Sequence, residues 1–223
     1  MICGGSEASI HPLVFHSMNK LSTLCNEYDN PSSASRPFDT KRKGFVIGEG
    51  SGVIILEELN HALERQASIY CEVVGYSSVS DGHHLTRPTD DGEGGFRSMM
   101  NACIENSISP FDIDLVNCHA TSTQTGDLAE LNAIKNFFGN EEYKDFNNLL
   151  KNYQNFEFNL NNENINTNRL KNLKLNANKS QIGHLLAAAG SVELIFMILS
   201  LKNVLQLFIK ASSTYQSKSR RTY

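Results

Sequence analysis

The sequence predicts an α/β fold, because short apolar runs alternate with helical patterns along most of the chain. Apolar runs of strand length occur at residues 53–56, 69–76 and 113–116, and amphipathic stretches lie between and after them. Such alternation is typical of a sheet that packs against helices. With 40% hydrophobic and 20% charged residues in a chain of 223, an ordinary core in one or two domains is expected.

The first quarter of the chain predicts a helical or irregular segment, a surface loop and a buried strand. Residues 9–24 are expected to form a helix or loop over the core, and residues 26–37, rich in Asn, Ser and Pro, a surface loop. Four glycines in the nine residues 44–52 indicate a tight, close-packed turn. A phosphate-binding loop is disfavoured there because no Gly-Lys-Ser/Thr ending follows. A buried strand is then expected over 53–56.

The middle of the chain continues the alternation. A helix is predicted over residues 58–67, a strand over 69–76, a long loop over 77–95 and a helix over 95–106.

The most informative stretch is Asn-Cys-His-Ala-Thr-Ser-Thr-Gln-Thr-Gly-Asp at residues 117–127. The apolar run before it predicts a buried strand that ends near His119, and a helix is expected over 127–138. Ligands bind at strand ends in open α/β sheets, so His119 and the hydroxyls after it could hydrogen-bond a bound carbonyl. The structural alternative is a His that caps the strand and threonines that form a turn.

A second stretch, residues 178–190, places Lys179 five residues before His184. His184 is predicted to open an apolar helix that runs to about Lys202. The small residues 187–190 would allow another backbone to approach closely. The structural alternative is that His184 only caps this helix.

An asparagine-rich segment interrupts the pattern. Asn supplies 13 of the 32 residues from 147 to 178. Such a polar run buries little apolar surface to offset the entropy lost on ordering, so a disordered insert is predicted at about 140–172. A strand at 173–175 then leads towards Lys179.

Composition and spacing argue against several classes of protein. The net charge is −4 with no basic run before the last few residues, which disfavours nucleic-acid binding. The longest apolar run, 185–201, is interrupted by Ser191, Glu193 and Ser200, so no membrane span is expected. The five cysteines are an odd number without metal-ligand spacing, which predicts reduced thiols and no metal site.

Four motifs together resemble one enzyme family. They are His-Ala-Thr-Ser-Thr at 119–123, Lys-x-x-x-Gly-His-x-x-x-Ala-Ala-Gly at 179–190, Arg-Pro-Phe-Asp at 36–39, and the glycine-rich run from Gly44 to Leu-Glu-Glu at 56–58. In this order they are similar to the C-terminal half of the β-ketoacyl-acyl-carrier-protein synthases, condensing enzymes of thiolase-type fold. The resemblance implies a thiolase-like layered α/β/α fold, incomplete at both ends. Residues 1–60 would be a remnant of the N-terminal half, 61–204 the C-terminal half with the insert, and 205–223 a tail outside the family.

The resemblance also implies site residues. His119 and His184 match the family's two histidines, and Lys179 matches its lysine. Two neutral imidazole N–H groups would stabilise the enolate formed when a malonyl thioester loses CO2, and Lys179 would hold the local hydrogen-bond network. Because His184 is predicted at a helix start, the helix dipole would favour its neutral form. Substrate-binding contacts to the phosphopantetheine arm are expected from the residues Thr86, Thr121, Thr123 and Gly126.

The function implied is that of a 3-oxoacyl-acyl-carrier-protein synthase of fatty-acid synthesis. Its partner would be acyl-carrier protein, with no cofactor beyond the phosphopantetheine that carries the substrate, and the full-length form would be a homodimer. With Ala at position 120, the motif is most similar to that of the family's mitochondrial form. A mitochondrial location is therefore implied, with cytoplasm and plastid as alternatives. The family's nucleophilic Cys is expected upstream of Met1, so no nucleophile is assigned in this chain, and we expect the chain alone to be inactive in condensing acyl and malonyl thioesters.

Three alternative functions follow from the same motifs. A polyketide-synthase ketosynthase usually carries His-Gly-Thr-Gly-Thr, which differs from this chain. A non-catalytic partner subunit would fit a chain without a nucleophile. Thiolase is a weaker alternative, because its catalytic segments differ.

Overall fold

The computed structural model describes residues 1–155 and 165–203. Helices and strands alternate along the chain, which confirms the predicted α/β class. In chain order they are β1 (Ile2–Glu7), α1 (Pro12–Lys20), β2 (Gly50–Ile55), α2 (Leu59–Glu64), α3 (Glu93–Ile104), β3 (Leu115–Asn117), α4 (Gln124–Phe138), α5 (Phe146–Asn155), α6 (Thr167–Asn172), β4 (Lys174–Asn176), α7 (Lys179–Ile182) and α8 (Ala189–Asn203).

The chain divides into two compact units, each built from separate stretches of sequence. The first unit contains residues 1–73, 121–123 and, within the described part, 177–203. The second contains residues 74–120 and 124–176, as far as they are described.

In the first unit, β1 and β2 form an antiparallel pair against which α8 packs. The pairing runs from Ile2 opposite Ile55 to Glu7 opposite Gly50. A Cβ added at Gly5 would lie 2.4 Å from the carbonyl oxygen of Ala187, so only glycine allows this approach. The small residues before α8 therefore permit close backbone packing, as their composition predicts.

Two predicted strands differ in the structure. The run at 53–56 is not a buried strand, because Val53 is 60% and Ile55 is 76% exposed. Among the described residues β2 pairs only with β1, and alternate side chains of this ribbon face solvent. Residues 69–76 form neither a helix nor a strand, because within the described chain no segment bonds to them in a ladder.

The second unit is centred on α3 and α4. The Phe96 and Phe137 rings meet edge to face with centroids 5.6 Å apart, and Met100 is fully buried between the elements. β3 pairs in parallel with β4, from Leu115 opposite Lys174 to Asn117 opposite Asn176. This pair directs the chain into His119.

The asparagine-rich segment differs from the predicted disordered insert where it is described. Helices α5 and α6 lie within it, and Tyr143 and Leu149 are buried at 3% and 0% exposure. The guanidinium of Arg169 donates to the carbonyl oxygens of Pro110 and Ile113. A few buried apolar side chains and the Arg169 hydrogen bonds therefore hold these residues in place despite the polar composition. The predicted disorder at 156–164 and the predicted tail at 205–223 lie outside the described residues.

Two features are absent from the described chain. None of its helices has both the length and the apolar character that crossing a membrane requires. No cluster of three or more His, Cys, Asp or Glu side chains suited to a metal ion occurs in residues 1–155 and 165–203.

Candidate active site

His184 is held in an extended segment of the first unit. Its backbone N–H donates to the carbonyl of Val46 at 2.7 Å, and its carbonyl accepts from Gly48 N–H at 3.0 Å. Gly183, just before it, has φ +72°, and a Cβ there would lie 2.8 Å from the Val46 oxygen. The glycine is therefore required for the backbone that presents the histidine.

The His184 ring is fixed as a neutral hydrogen-bond donor. Its Nδ1 accepts from the backbone N–H of Leu186 at 3.1 Å, so the proton of the neutral ring is carried by Nε2. The ring also packs edge to face against Phe45, with centroids 5.1 Å apart. Burial and, to a smaller extent, the positive charge of Lys179 together lower the pKa of His184 to about 4. At neutral pH the ring is thus neutral and carries its proton on Nε2.

The predicted reason for this neutrality is wrong in one respect. His184 does not open a helix, because α8 begins at Ala189 and a short 3₁₀ turn, Leu186–Ala188, comes before it. The neutral state follows from desolvation and the nearby Lys179 rather than from a helix dipole.

Lys179 lies in a buried ion pair that the sequence did not predict. Its Nζ is 2.5 Å from Oε1 of Glu193, and the two side chains are 1% and 7% exposed. The Lys179 carbonyl also accepts from the Ser35 hydroxyl at 2.5 Å. Glu193 lies on the first turns of α8, so this helix fixes the ammonium close enough to His184 to affect its titration. In the sequence Glu193 is visible only as a lone acidic residue in an apolar helix.

His119 belongs to the second unit and follows β3 closely. The carboxylate of Glu130, on α4, accepts from the backbone N–H of His119 at 2.6 Å and of Ala120 at 2.7 Å. The His119 residue is exposed, whereas Cys118 is 1% exposed. Glu130 therefore fixes the backbone that carries His119, a role that sequence reasoning missed. The preceding thiol is buried and faces away from solvent.

The turn at 121–123 belongs to the first unit. The hydroxyls of Thr121 and Thr123 are 2.9 Å apart and hydrogen-bonded, and Ser122 between them is fully buried. Ala120 and Ser122 have positive φ angles of 34° and 69°. Residues other than glycine seldom adopt this region, so the surroundings hold a conformation that the sequence alone disfavours.

The remaining predicted substrate-binding residues lie in the second unit. Thr86 is exposed in the long loop, where its backbone N–H donates to Nδ1 of His84 at 3.1 Å. Gly126 lies in the first turn of α4. The structure thus groups His184, Lys179, Thr121 and Thr123 in the first unit, and it assigns the residues His119, Thr86 and Gly126 to the second.

None of the five cysteines of the described chain forms a disulfide bond, and two of them, Cys103 and Cys118, are buried. Burial raises the pKa of the Cys103 thiol to about 11, with a smaller contribution from Asp112. Cys103 is therefore protonated at neutral pH and is a poor nucleophile.

Family models match nearly the whole described chain. The C-terminal domain of β-ketoacyl synthase matches residues 70–150 and 155–206, and the N-terminal domain matches residues 1–62. The chain belongs to the β-ketoacyl synthase family. This confirms the resemblance inferred from the four motifs, and the family is one of acyltransferases.

Individual β-ketoacyl synthases show the same relationship. The mitochondrial 3-oxoacyl-[acyl-carrier-protein] synthase of Arabidopsis thaliana is 41% identical over 202 residues, which cover 90% of this chain and 38% of that protein. The 3-oxoacyl-[acyl-carrier-protein] synthase 2 of Synechocystis is 37% identical over 201 residues, covering 90% and 42%. The chain thus spans about two fifths of the length of these relatives.

A solved ketosynthase structure supports the thiolase-like fold. It is a type II polyketide synthase acyl-carrier protein in complex with its ketosynthase bound to the hexaketide. The similarity has a TM-score of 0.74 and 33% identity, over 90% of this chain and 42% of that one.

Proposed function

We propose that this chain forms part of a 3-oxoacyl-acyl-carrier-protein synthase of fatty-acid synthesis. The observation that carries the proposal is the His184 ring, a neutral Nε2–H donor beside a buried Lys179–Glu193 pair in a chain of this family. The names of the relatives from Arabidopsis thaliana and Synechocystis support the reaction class.

In the proposed reaction, a malonyl thioester loses CO2 and condenses with an acyl group. The electron pair of the breaking C–C bond moves into the thioester, and negative charge develops on its oxygen. A preorganised N–H donor that meets this oxygen is worth about 3 kcal/mol. His184 supplies one such donor, and we assign the second to His119. The enolate carbon then attacks an acyl thioester, whose thiolate leaves.

Lys179 has a supporting role in this proposal. Burial is the main cause of the low pKa of His184, and the nearby charge of Lys179 lowers that pKa in the same direction. The reaction requires no cofactor beyond the phosphopantetheine arm of the carrier, for which Thr121, Thr123, Thr86 and Gly126 are the proposed contacts.

The proposed partner is acyl-carrier protein. It is supported by the ketosynthase neighbour, which was solved in complex with an acyl-carrier protein. A homodimer of the full-length protein remains a prediction. The mitochondrial location is also a proposal; the Arabidopsis thaliana relative has that location in its name, while the Synechocystis relative does not.

The test is release of labelled CO2 from malonyl-acyl-carrier protein by the wild type and two variants. His119→Ala and His184→Ala should each lower the rate by about 100-fold or more, by the usual effect of losing such a donor. His61→Ala is the control, because His61 is an exposed residue on α2 paired with Glu57. If the wild type releases no CO2, the alternative function of a non-catalytic partner subunit replaces this proposal. If only one histidine matters, the other has a structural role.

A further inference from the structure

Arg42 holds the Thr121–Thr123 turn from the adjoining loop of the first unit. Its Nε donates to the carbonyl of Thr123 at 2.9 Å, and its Nη1 donates to the carbonyl of Asp39 at 3.0 Å. The backbone N–H of Arg42 also donates to the Asp39 carbonyl, at 3.2 Å. The guanidinium thus bridges two fixed carbonyl groups, which a single-point ammonium could not do in the same geometry.

The same loop makes two further bonds to the turn. Arg36 N–H donates to the Ser122 hydroxyl at 3.1 Å, and Gly44 N–H donates to the Ser122 carbonyl at 2.9 Å. Both are backbone donors, whereas the bond from Arg42 to this turn is a charge-assisted side-chain bond. Bonds of this type are about twice as strong as neutral ones.

The turn requires such support because its backbone is strained. Ser122 has φ +69°, a conformation that costs about 1–3 kcal/mol for a residue other than glycine and persists only where the surroundings enforce it. The paired hydroxyls of Thr121 and Thr123 keep their positions only while the backbone of this turn stays in its observed conformation. A change that releases the Thr123 carbonyl would therefore displace both hydroxyls.

We infer that Arg42 is a positioning residue, which sets the Thr121 and Thr123 hydroxyls for the amide-bearing pantetheine arm of the thioester substrate. This rests on the proposed function, in which these threonines contact the arm. Arg42 itself touches no reacting atom, so its effect belongs to binding of the arm rather than to decarboxylation.

The experiment compares two malonyl thioesters. Malonyl-pantetheine carries the whole arm, and malonyl-N-acetylcysteamine lacks most of it. Steady-state CO2 release is measured for Arg42→Gln and Arg42→Lys, for Thr123→Val, and for the control Arg65→Gln, which removes an exposed pair with Glu57.

For Arg42→Gln we expect KM for malonyl-pantetheine to rise about tenfold, the effect of losing one charge-assisted hydrogen bond, with kcat unchanged. Activity on the truncated thioester should stay at the wild-type level, which also shows that the variant is folded. Added guanidinium ion should restore part of the lost affinity, and Arg42→Lys should recover less than the wild type.

The outcomes separate the two proposals. If Thr123→Val raises KM for malonyl-pantetheine and Arg42→Gln does not, the inference about Arg42 is wrong and the proposed function stands. Equal losses on both thioesters would also overturn it, because they indicate general destabilisation. A wild type inactive on both thioesters overturns the proposed function, and the role of Arg42 with it.

Discussion

Replacing Glu193 by Gln should destabilise the protein strongly. The change keeps the size of the side chain but leaves the Lys179 ammonium buried, at 1% exposure, without its counter-charge. Breaking a buried pair by removing one partner costs about 3–5 kcal/mol, because the remaining charge is uncompensated. For a chain of this length the melting temperature should fall by about 6–20 °C.

The assay is urea and thermal unfolding of Glu193→Gln beside two other variants. Glu27→Gln breaks an exposed pair with Lys43, whose atoms are 3.1 Å apart, and should cost less than about 1 kcal/mol. The double change Lys179→Met with Glu193→Leu should restore much of the stability, since apolar pairs often replace buried ion pairs without loss.

Two results would refute this reasoning. A loss in Glu193→Gln no larger than that in Glu27→Gln would show that water or another group compensates the Lys179 charge. A double variant as unstable as Glu193→Gln would show that packing at this position, rather than charge, decides the stability.

Two further predictions concern His184 and its backbone. The folded pKa of His184, about 4, lies below its ordinary value of 6.5, so its contribution to stability is complete above pH 6.5 and is lost as the pH falls towards 4. Because the ring is partly exposed, we expect this contribution to stability to be about 1–2 kcal/mol. It is measured as the difference in the pH dependence of urea unfolding between wild type and His184→Gln. Identical slopes would contradict it. Gly183→Ala should destabilise by about 1–3 kcal/mol, because φ is +72° and the new Cβ would meet the Val46 oxygen at 2.8 Å. Gly190→Ala is the matched control, since a Cβ there meets nothing within 4 Å and alanine favours the helix; equal effects of the two changes would show that the backbone at Gly183 can relax.

Local patterns predicted one helix, α4, and one strand, β3, close to where the structure has them. The helix expected over 127–138 is α4, extended by three residues at its start, and the strand expected before His119 is β3. The expected strand at 69–76 is absent, because a strand depends on a partner that periodicity does not reveal.

The candidate site residues were selected from the sequence, but their physical surroundings were not predicted. Motif resemblance selected Lys179 and His184, yet their effects depend on Glu193 and Phe45, which lie elsewhere in the sequence. Burial of a side chain arises from the whole fold, so desolvation as the main cause of the lowered His184 pKa could not be predicted from sequence. Glu130 was missed for the same reason, since its carboxylate reaches back eleven positions to the His119 backbone.

The contact between β1 and the segment before α8 has a consequence for synthesis of the chain. The Glu7 carboxylate accepts from the backbone N–H of Ala187 at 3.2 Å, across 180 positions of sequence. Closing a loop of that length costs about 5 kcal/mol of chain entropy. At translation rates of about 5–20 residues per second, a ribosome takes roughly 10–35 s to add the second partner after the first. During that interval β1 and β2 exist on the nascent chain without the α8 packing that covers one face of the ribbon. The apolar surface that a chaperone could bind is therefore largest at this stage.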